Sequence, residues 1–262
     1  MKADLNPSAY DAFAPFYDAF TAASDYETWT GEVLRVAGGF GLSGTRLLDL
    51  ACGTGKSFEP FLRRGFDVTA CDASPGMLGE AAVKWPEPRL LHCDMRELPV
   101  LGSFDLVTCF DDSLNYLLDE DELAAALAGM ARNLRPGGIA AFDLNSLSAY
   151  RTTFASHSVS EDDGVVFAWR GLGAPDAEPG CVAEAQIDVF FTRDDGAYER
   201  VVTRHRQRHF GRDSVLELLA GAGFRCLAVH GVLADASLDD TADEERHLKV
   251  LYTARRAEGG DC

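Results

Sequence analysis

The residues with the most chemical promise sit in one short stretch, Asp49-Leu50-Ala51-Cys52-Gly53-Thr54-Gly55. Glycines let a backbone turn sharply and approach a ligand closely, and a helix that follows presents free N–H groups. A dinucleotide site would read G-x-G-x-x-G, with space for a pyrophosphate. Here an acid leads, the third glycine is missing, and a carboxylate repels phosphate. The loop instead suits a ligand that carries an amine, held near Asp49, Ala51, Cys52, Gly53 and Gly55.

Asp72 supports a nucleoside ligand. It ends an apolar run 17 residues after Gly55, where doubly wound folds use an acid to accept hydrogen bonds from ribose hydroxyls. Ala73 follows it. Met77 is placed to pack on an adenine face or in the core. Asp94, between Cys93 and Met95, could accept from an adenine amino group or cap a helix.

A second group of polar residues follows the run FDLVTC: Phe110-Asp111-Asp112-Ser113-Leu114-Asn115-Tyr116. Ligands bind at the carboxyl ends of parallel strands, so Asp111, Asp112, Asn115 and Tyr116 could orient an amine or hydroxyl, or cap the next turn. His205 and His209 alternate with arginines in Arg204-His205-Arg206-Gln207-Arg208-His209, so they share one strand face. His205 is a candidate base if that strand covers the site, and part of a solvated face if it does not. No His/Asp/Glu cluster has metal-ligand spacing, and no metal is expected.

These residues need a scaffold. TRLLDLA (45–51), FDVTACD (66–72), RLLHCD (89–94), FDLVTCF (104–110) and IAAFDLN (139–145) read as strands. Helical segments alternate with them. KSFEPFLRRG closes at Gly65, SPGMLGEAAVKW opens on a capping serine with proline at its first position, and DEDELAAALAGMARNL carries a capping box of Asp119 and Glu122. This alternation means an α/β fold with a mostly parallel sheet. After about residue 150, VVFAWRG, CVAEAQIDVFFTR and YERVVTRHRQRHF read as successive strands, with Asp194–Gly196 as a hairpin turn. They imply an inserted antiparallel sheet. RCLAVHGV and HLKVLYTAR form a closing antiparallel pair around an acidic loop. Residues 1–40 look helical and aromatic, with Phe13, Phe16, Tyr17 and Phe20 at helical spacing.

The motif set DLACGTG, Asp72, Cys93-Asp94-Met95 and the LRPGG turn resembles class I S-adenosylmethionine-dependent methyltransferases over about residues 8–150. The remainder is similar to a bacterial subgroup related to amino-sugar N,N-dimethyltransferases and, more distantly, to glycine N-methyltransferase. The Asn/Asp-Pro-Pro-Tyr loop of enzymes that methylate nucleobase or glutamine amino groups is missing. The resemblance implies a Rossmann-like, doubly wound, seven-stranded, mostly parallel sheet with an inserted antiparallel β-sheet. It implies S-adenosyl-L-methionine as cofactor and methyl transfer to an amine, or a hydroxyl, of a small molecule. Tyr17, Tyr26 and Trp29 would then close over the methionyl end, with Phe110 beside it. The expected organisation is an N-terminal helical lid (1–40), a core (41–150 and 211–262) and a sheet covering the substrate (151–210). Two rival functions are a non-catalytic module that binds this cofactor and a nicotinamide oxidoreductase, against which the leading acid counts.

The chain has 262 residues, 47% hydrophobic, and a net charge of −18. Nucleic-acid binders present a basic face to phosphates, and anionic membranes repel such a chain, so the expected partner is a small molecule, with no nucleic acid and no membrane. A homodimer is compatible with this composition. No apolar run approaches the ~20 residues of a membrane span, and MKADLNPSAYDAF lacks a signal-peptide pattern. Both point to the cytoplasm. The seven cysteines include no C-x-x-C pair and lie mostly in apolar runs, as small buried hydrophobes do.

Overall fold

A computed structural model describes residues 7–162, 164–193 and 195–258. Two helices, α1 (Pro7–Phe20) and α2 (Tyr26–Gly39), precede an alternation of strands and helices. This runs β1 (Arg46–Leu50), α3 (Glu59–Arg63), β2 (Asp67–Asp72), α4 (Pro75–Lys84), β3 (Arg89–His92), β4 (Phe104–Cys109), α5 (Glu120–Asn133) and β5 (Leu134–Asn145). A short helix α6 (Leu147–Arg151) leads to four antiparallel strands, β6 (His157–Asp162), β7 (Val165–Gly171), β8 (Val182–Thr192) and β9 (Tyr198–Arg208). The chain then returns through α7 (Arg212–Gly221) to β10 (Phe224–Val232), β11 (Leu238–Asp239) and β12 (Lys249–Arg256).

Among the described residues the main sheet has eight strands in the order β11-β10-β12-β5-β4-β1-β2-β3, one more than the expected seven. The extra strand is the two-residue β11, which the acidic loop contributes by pairing Gly231 with Asp239 and Val232 with Leu238. Strands β1 to β5 pair in parallel, and β12 runs antiparallel to β5 and β10. Parallel strands buried on both faces read as unbroken apolar runs, and β1 is accordingly buried from Leu47 to Leu50. One face packs Leu48, Val107 and Phe142 against Leu123, Leu127 and Met130 of α5. The other packs Leu47, Val68 and Leu106 against Trp29, Val33 and Phe61.

The helix signals operate as local chemistry dictates. Ser74 Oγ accepts from the Met77 amide at 3.1 Å, and Asp119 accepts from the Glu122 amide at 2.8 Å. Glu122 reaches back past the N-cap residue Asp119 and accepts from the Leu118 amide at 2.9 Å, one residue earlier than a capping box requires. The segment KSFEPFLRRG contributes a shorter helix than expected, α3, because its first residues remain in turns. In contrast, β5 starts earlier than expected, at Leu134, and carries the LRPGG segment within it.

The second sheet has the order β6-β7-β8-β9. The turn between β8 and β9 is closed by Arg193 and Ala197, with Gly196 at φ 80°; Asp194 of that expected turn lies outside the described residues, as does Cys262. Phe167, Ile187 and Val189 of this sheet pack on Phe13 and Ala14 of α1. Helix α1 is also tied to the main sheet's loops. Asp11 accepts from Ser74 Oγ at 2.6 Å and the Gly76 amide at 2.8 Å. Asp18 accepts from Thr54 Oγ1 and pairs with Lys84, both at 2.5 Å. Among the described residues, no helix is long and apolar enough to cross a membrane.

Candidate functional site

A cavity of about 510 Å³ opens where the carboxyl ends of β1, β2 and β4 meet α1 and β9. Ligand pockets of drug-sized molecules occupy this size range. Its floor comes from the strand ends: Ala51, Gly53, Asp72, Ala73, Cys93 and Met95. Met77 of α4, Tyr17 of α1, and Asp111 and Tyr116 after β4 add further wall. His205 of β9 completes it opposite the strand ends. Eleven expected site residues therefore face one space.

The glycine loop is shaped for close approach. Ala51, Gly53 and Gly55 all have positive φ, at 52°, 54° and 91°. A Cβ at Gly55 would lie 2.5 Å from Trp85 Cδ1 and 2.6 Å from Phe58 Cζ, so this glycine makes room for packing beneath the loop. Asp72 closes the loop from the next strand. Its carboxylate accepts from the Gly53 and Ser74 amides, each at 2.8 Å. Burial nevertheless raises its pKa, against the pull of those N–H donors. Its side chain also lines the cavity.

Other expected site residues do not reach the cavity. Asp49 is 1% exposed, and its oxygens accept from Ser57 Oγ and Thr108 Oγ1, both at 2.6 Å. It braces the loop from within the sheet rather than meeting a ligand amine, and burial pushes its carboxyl up to about 7. Cys52, Trp29 and Phe110 belong to the core, where Trp29 meets Phe110 edge-on at 5.5 Å. Asn115 is wholly buried: its amide donates to the Arg208 carbonyl at 2.8 Å and its oxygen accepts from the Asn145 amide at 2.9 Å. Asp94 caps a 3-10 turn and pairs with Arg96 at 2.6 Å. Tyr26 stands behind the lining and donates to Asp111 Oδ2 at 2.5 Å. His209 is buried away from the cavity beside Glu244 and Tyr150.

The residues after β4 hold an unusual backbone. Asp111 and Asp112 are consecutive non-glycine residues at φ 56° and 51°, a conformation that costs about 1–3 kcal/mol each. Lys249 Nζ lies 2.7 Å from Asp112, 3.1 Å from Asp143 and 3.6 Å from Asp111. Burial alone would lower the Lys249 ammonium; the charges of Asp112, Asp143 and Asp111 outweigh it and raise its pKa. Burial pushes Asp143 up to about 6 against the opposing pull of Lys249. Gln207 Nε2 donates to Asp112 at 2.5 Å, and Asn145 Nδ2 donates to Gln207 at 2.8 Å. These buried amides join the inserted sheet to the core.

Across the cavity, four side chains form a line of hydrogen bonds. Tyr10 donates to the Tyr116 hydroxyl at 2.6 Å. That hydroxyl is 2.9 Å from His205 Nδ1, and His205 Nε2 is 2.9 Å from Thr203 Oγ1. Since Tyr10 supplies its proton to Tyr116, the consistent assignment has Tyr116 donating to Nδ1 and Nε2–H donating to Thr203. His205 is 3% exposed, and burial lowers its pKa to about 4. It is neutral at physiological pH. Arg204 and Arg206 also line the cavity, and Arg206 pairs with Glu184 at 3.0 Å.

Tyr10, Lys249, Asp143 and Gln207 were not singled out by sequence reasoning. Tyr10 had a signal, seven residues before Tyr17 on the same helix face. Lys249 had none, because only the register of β12 against Asn145 brings it to the turn.

Residues 47–138 match the family model of a methyltransferase domain. Over 253 residues, the chain is 32% identical to a protein named as a methyltransferase in Geobacillus sp. (strain WCH70), covering 94% of this chain and 99% of that one. It is also 32% identical over 128 residues to the dTDP-3-amino-3,4,6-trideoxy-alpha-D-glucopyranose N,N-dimethyltransferase of Streptomyces venezuelae, covering 48% of this chain and 54% of that one. Among solved structures, an S-adenosylmethionine-dependent methyltransferase from Clostridium acetobutylicum superposes with a TM-score of 0.78 at 27% identity, covering 95% and 99% of the two chains. With this likeness over nearly its whole length, the chain belongs to the class I S-adenosylmethionine-dependent methyltransferases, similar to those that act on amino sugars.

Proposed function

We propose that this methyltransferase acts on an amine nitrogen of a small molecule held between the strand ends, α1 and β9. Bound S-adenosylmethionine supplies an electrophilic methyl group. Asp72 would hold the ribose hydroxyls, with Ala73, Met77, Cys93 and Met95 around the base. Ala51, Gly53 and Tyr17 would lie along the methionyl part. Helix α1 and the sheet β6–β9 would cover the cavity and exclude water, leaving the core to bind the cofactor.

The observation that carries the amine assignment is the state of His205. An alcohol must surrender its proton as it attacks, and the His205 ring has no free nitrogen to take it, since Nδ1 faces Tyr116 and Nε2 faces Thr203; burial, which lowers its pKa, acts in the same direction. A free amine attacks with its lone pair and sheds a proton afterwards. For that chemistry the site has mainly to orient the nitrogen and keep water out. Asp111 and the Tyr116 hydroxyl can accept hydrogen bonds from an amine, and Asp72 and Asp111 make the strand-end side of the lining attractive to a basic acceptor. The same acidity, in a chain of net charge −18, disfavours nucleic acid.

The test is methyl transfer from labelled S-adenosylmethionine to a panel of amino sugars and small amines, each paired with its hydroxyl counterpart. Label should enter the amines and not the alcohols. Labelling of the alcohols at comparable rates would overturn the amine assignment.

A further inference from the structure

We propose that Lys249 is a positioning residue for methyl transfer, its ammonium holding the Asp111–Asp112 turn in the left-handed conformation that presents Asp111 and Tyr116 to the cavity. The inference rests on the reading that this cavity is where transfer occurs, but not on the nature of the acceptor.

Left to itself, neither aspartate favours φ 56° or 51°. The turn also gathers three carboxylates, which repel one another. Lys249 answers both problems. Its Nζ is within 4 Å of Asp111, Asp112 and Asp143, and among the described residues no other cation pairs with any of the three. Asp143 passes the constraint on, because its Oδ2 accepts from the Asp112 amide at 2.9 Å. Its other oxygen is buried with no hydrogen-bond partner among the described residues, so Lys249 provides its main compensation.

The lysine itself is held rigidly. It is the first residue of β12 and pairs with Asn145, the last residue of β5. The turn it clamps runs straight into the 3-10 segment Ser113–Tyr116. Tyr116 is thereby aimed at His205 and Tyr10. Lys249 does not line the cavity, so it acts through these residues. The bonds of Asp72 to the Gly53 and Ser74 amides arise from β2 and do not pass through Lys249.

The experiment compares Lys249→Met and Lys249→Arg with the parent protein by two measurements that need no acceptor. Calorimetry follows S-adenosylhomocysteine, and ¹⁵N NMR follows the His205 imidazole, whose Nδ1 faces Tyr116. In Lys249→Met the Nδ1 resonance should lose its hydrogen-bonded shift, while cofactor-product affinity stays within about threefold, as for separate sites. Lys249→Arg should restore the resonance. An acceptor found in the methylation panel should show kcat lowered about tenfold or more, the usual result of misplacing reacting groups. If Lys249→Met does not fold, the double variant Lys249→Met/Asp143→Asn removes the stranded buried charge and is measured in its place. An unchanged His205 resonance would overturn the proposal, as would a loss of affinity parallel to a general loss of stability. A panel without any amine acceptor would refute the amine assignment and leave the Lys249 measurements to stand alone.

Discussion

Replacing Asp49 by asparagine should stabilise the chain at neutral and basic pH and leave it almost unchanged in acid. The two hydroxyls that serve Asp49, from Ser57 and Thr108, do not offset the loss of water around its charge. Its carboxyl stands at about 7 instead of 3.8. Between those values the folded chain binds more protons than the unfolded chain, so the carboxyl erodes stability as pH rises through the window. Above about 7 the loss is complete, and it corresponds to on the order of 4 kcal/mol at 1.36 kcal/mol for each pH step. An asparagine avoids the charge and keeps both bonds, because a hydroxyl can accept from the amide as readily as it donates to the oxygen. We expect a gain of about 2–4 kcal/mol near pH 8 and close to none near pH 4. Urea unfolding of parent and variant at both pH values measures this. His205 acts in the opposite direction, since its lowered pKa costs stability as pH falls below 6.5 toward about 4, but it is common to both proteins and cancels. A destabilised Asp49→Asn protein, or an equal gain at both pH values, would refute the reasoning.

Asp72→Ala should weaken S-adenosylhomocysteine binding by ~1.5–3 kcal/mol, the scale of a lost charged acceptor; calorimetry on a folded variant with unchanged affinity would remove Asp72 from the site. Tyr116→Phe breaks the line from Tyr10 to His205 and should slow methyl transfer about tenfold or more while sparing cofactor affinity; equal turnover would show that the line plays no part in the reaction. Asp18→Ala releases both Thr54 and Lys84, so amide exchange across α1 should quicken, and unaltered exchange would mean that the apolar contacts of Phe13 alone seat the helix.

The parallel core was legible because its strands are apolar runs and its helices start on capping residues. RLLDL and FDLVTC had few other ways to bury themselves. Asp72 was legible because it stands where an apolar strand ends. Sequence could not show which way Asp49 points. Alternation in a strand buried on both faces gives no polar side to read, and its hydroxyl partners come from a different strand and from the turn before α3. Asn115 and Tyr116 are adjacent, yet one is bonded into the interior and the other faces the cavity; a 3-10 turn sends neighbours in different directions. Lys249 and Asp143 meet the aspartate turn through sheet register, a property of strands 100 residues apart that no local pattern encodes. The two-residue β11 was hidden for a related reason, since its acidic surroundings carry a loop composition.

The buried seam between β9 and the core bears on how such a protein can be rebuilt. Gln207, Asn145, Asn115 and Asp112 satisfy one another across it. A half-satisfied polar network is worse than an apolar junction. A designer who grafts another sheet onto this core to change its acceptor must therefore carry over Gln207 and the Arg208 carbonyl, or replace all four partners together. His205, two residues before that seam, has its own tie to the core through Tyr116, and Thr203 is bonded to His205 in turn, so these are kept or replaced together with that tyrosine. The seam and the His205 tie together act as a mounting plate, with the interchangeable part beginning on the strands beyond them.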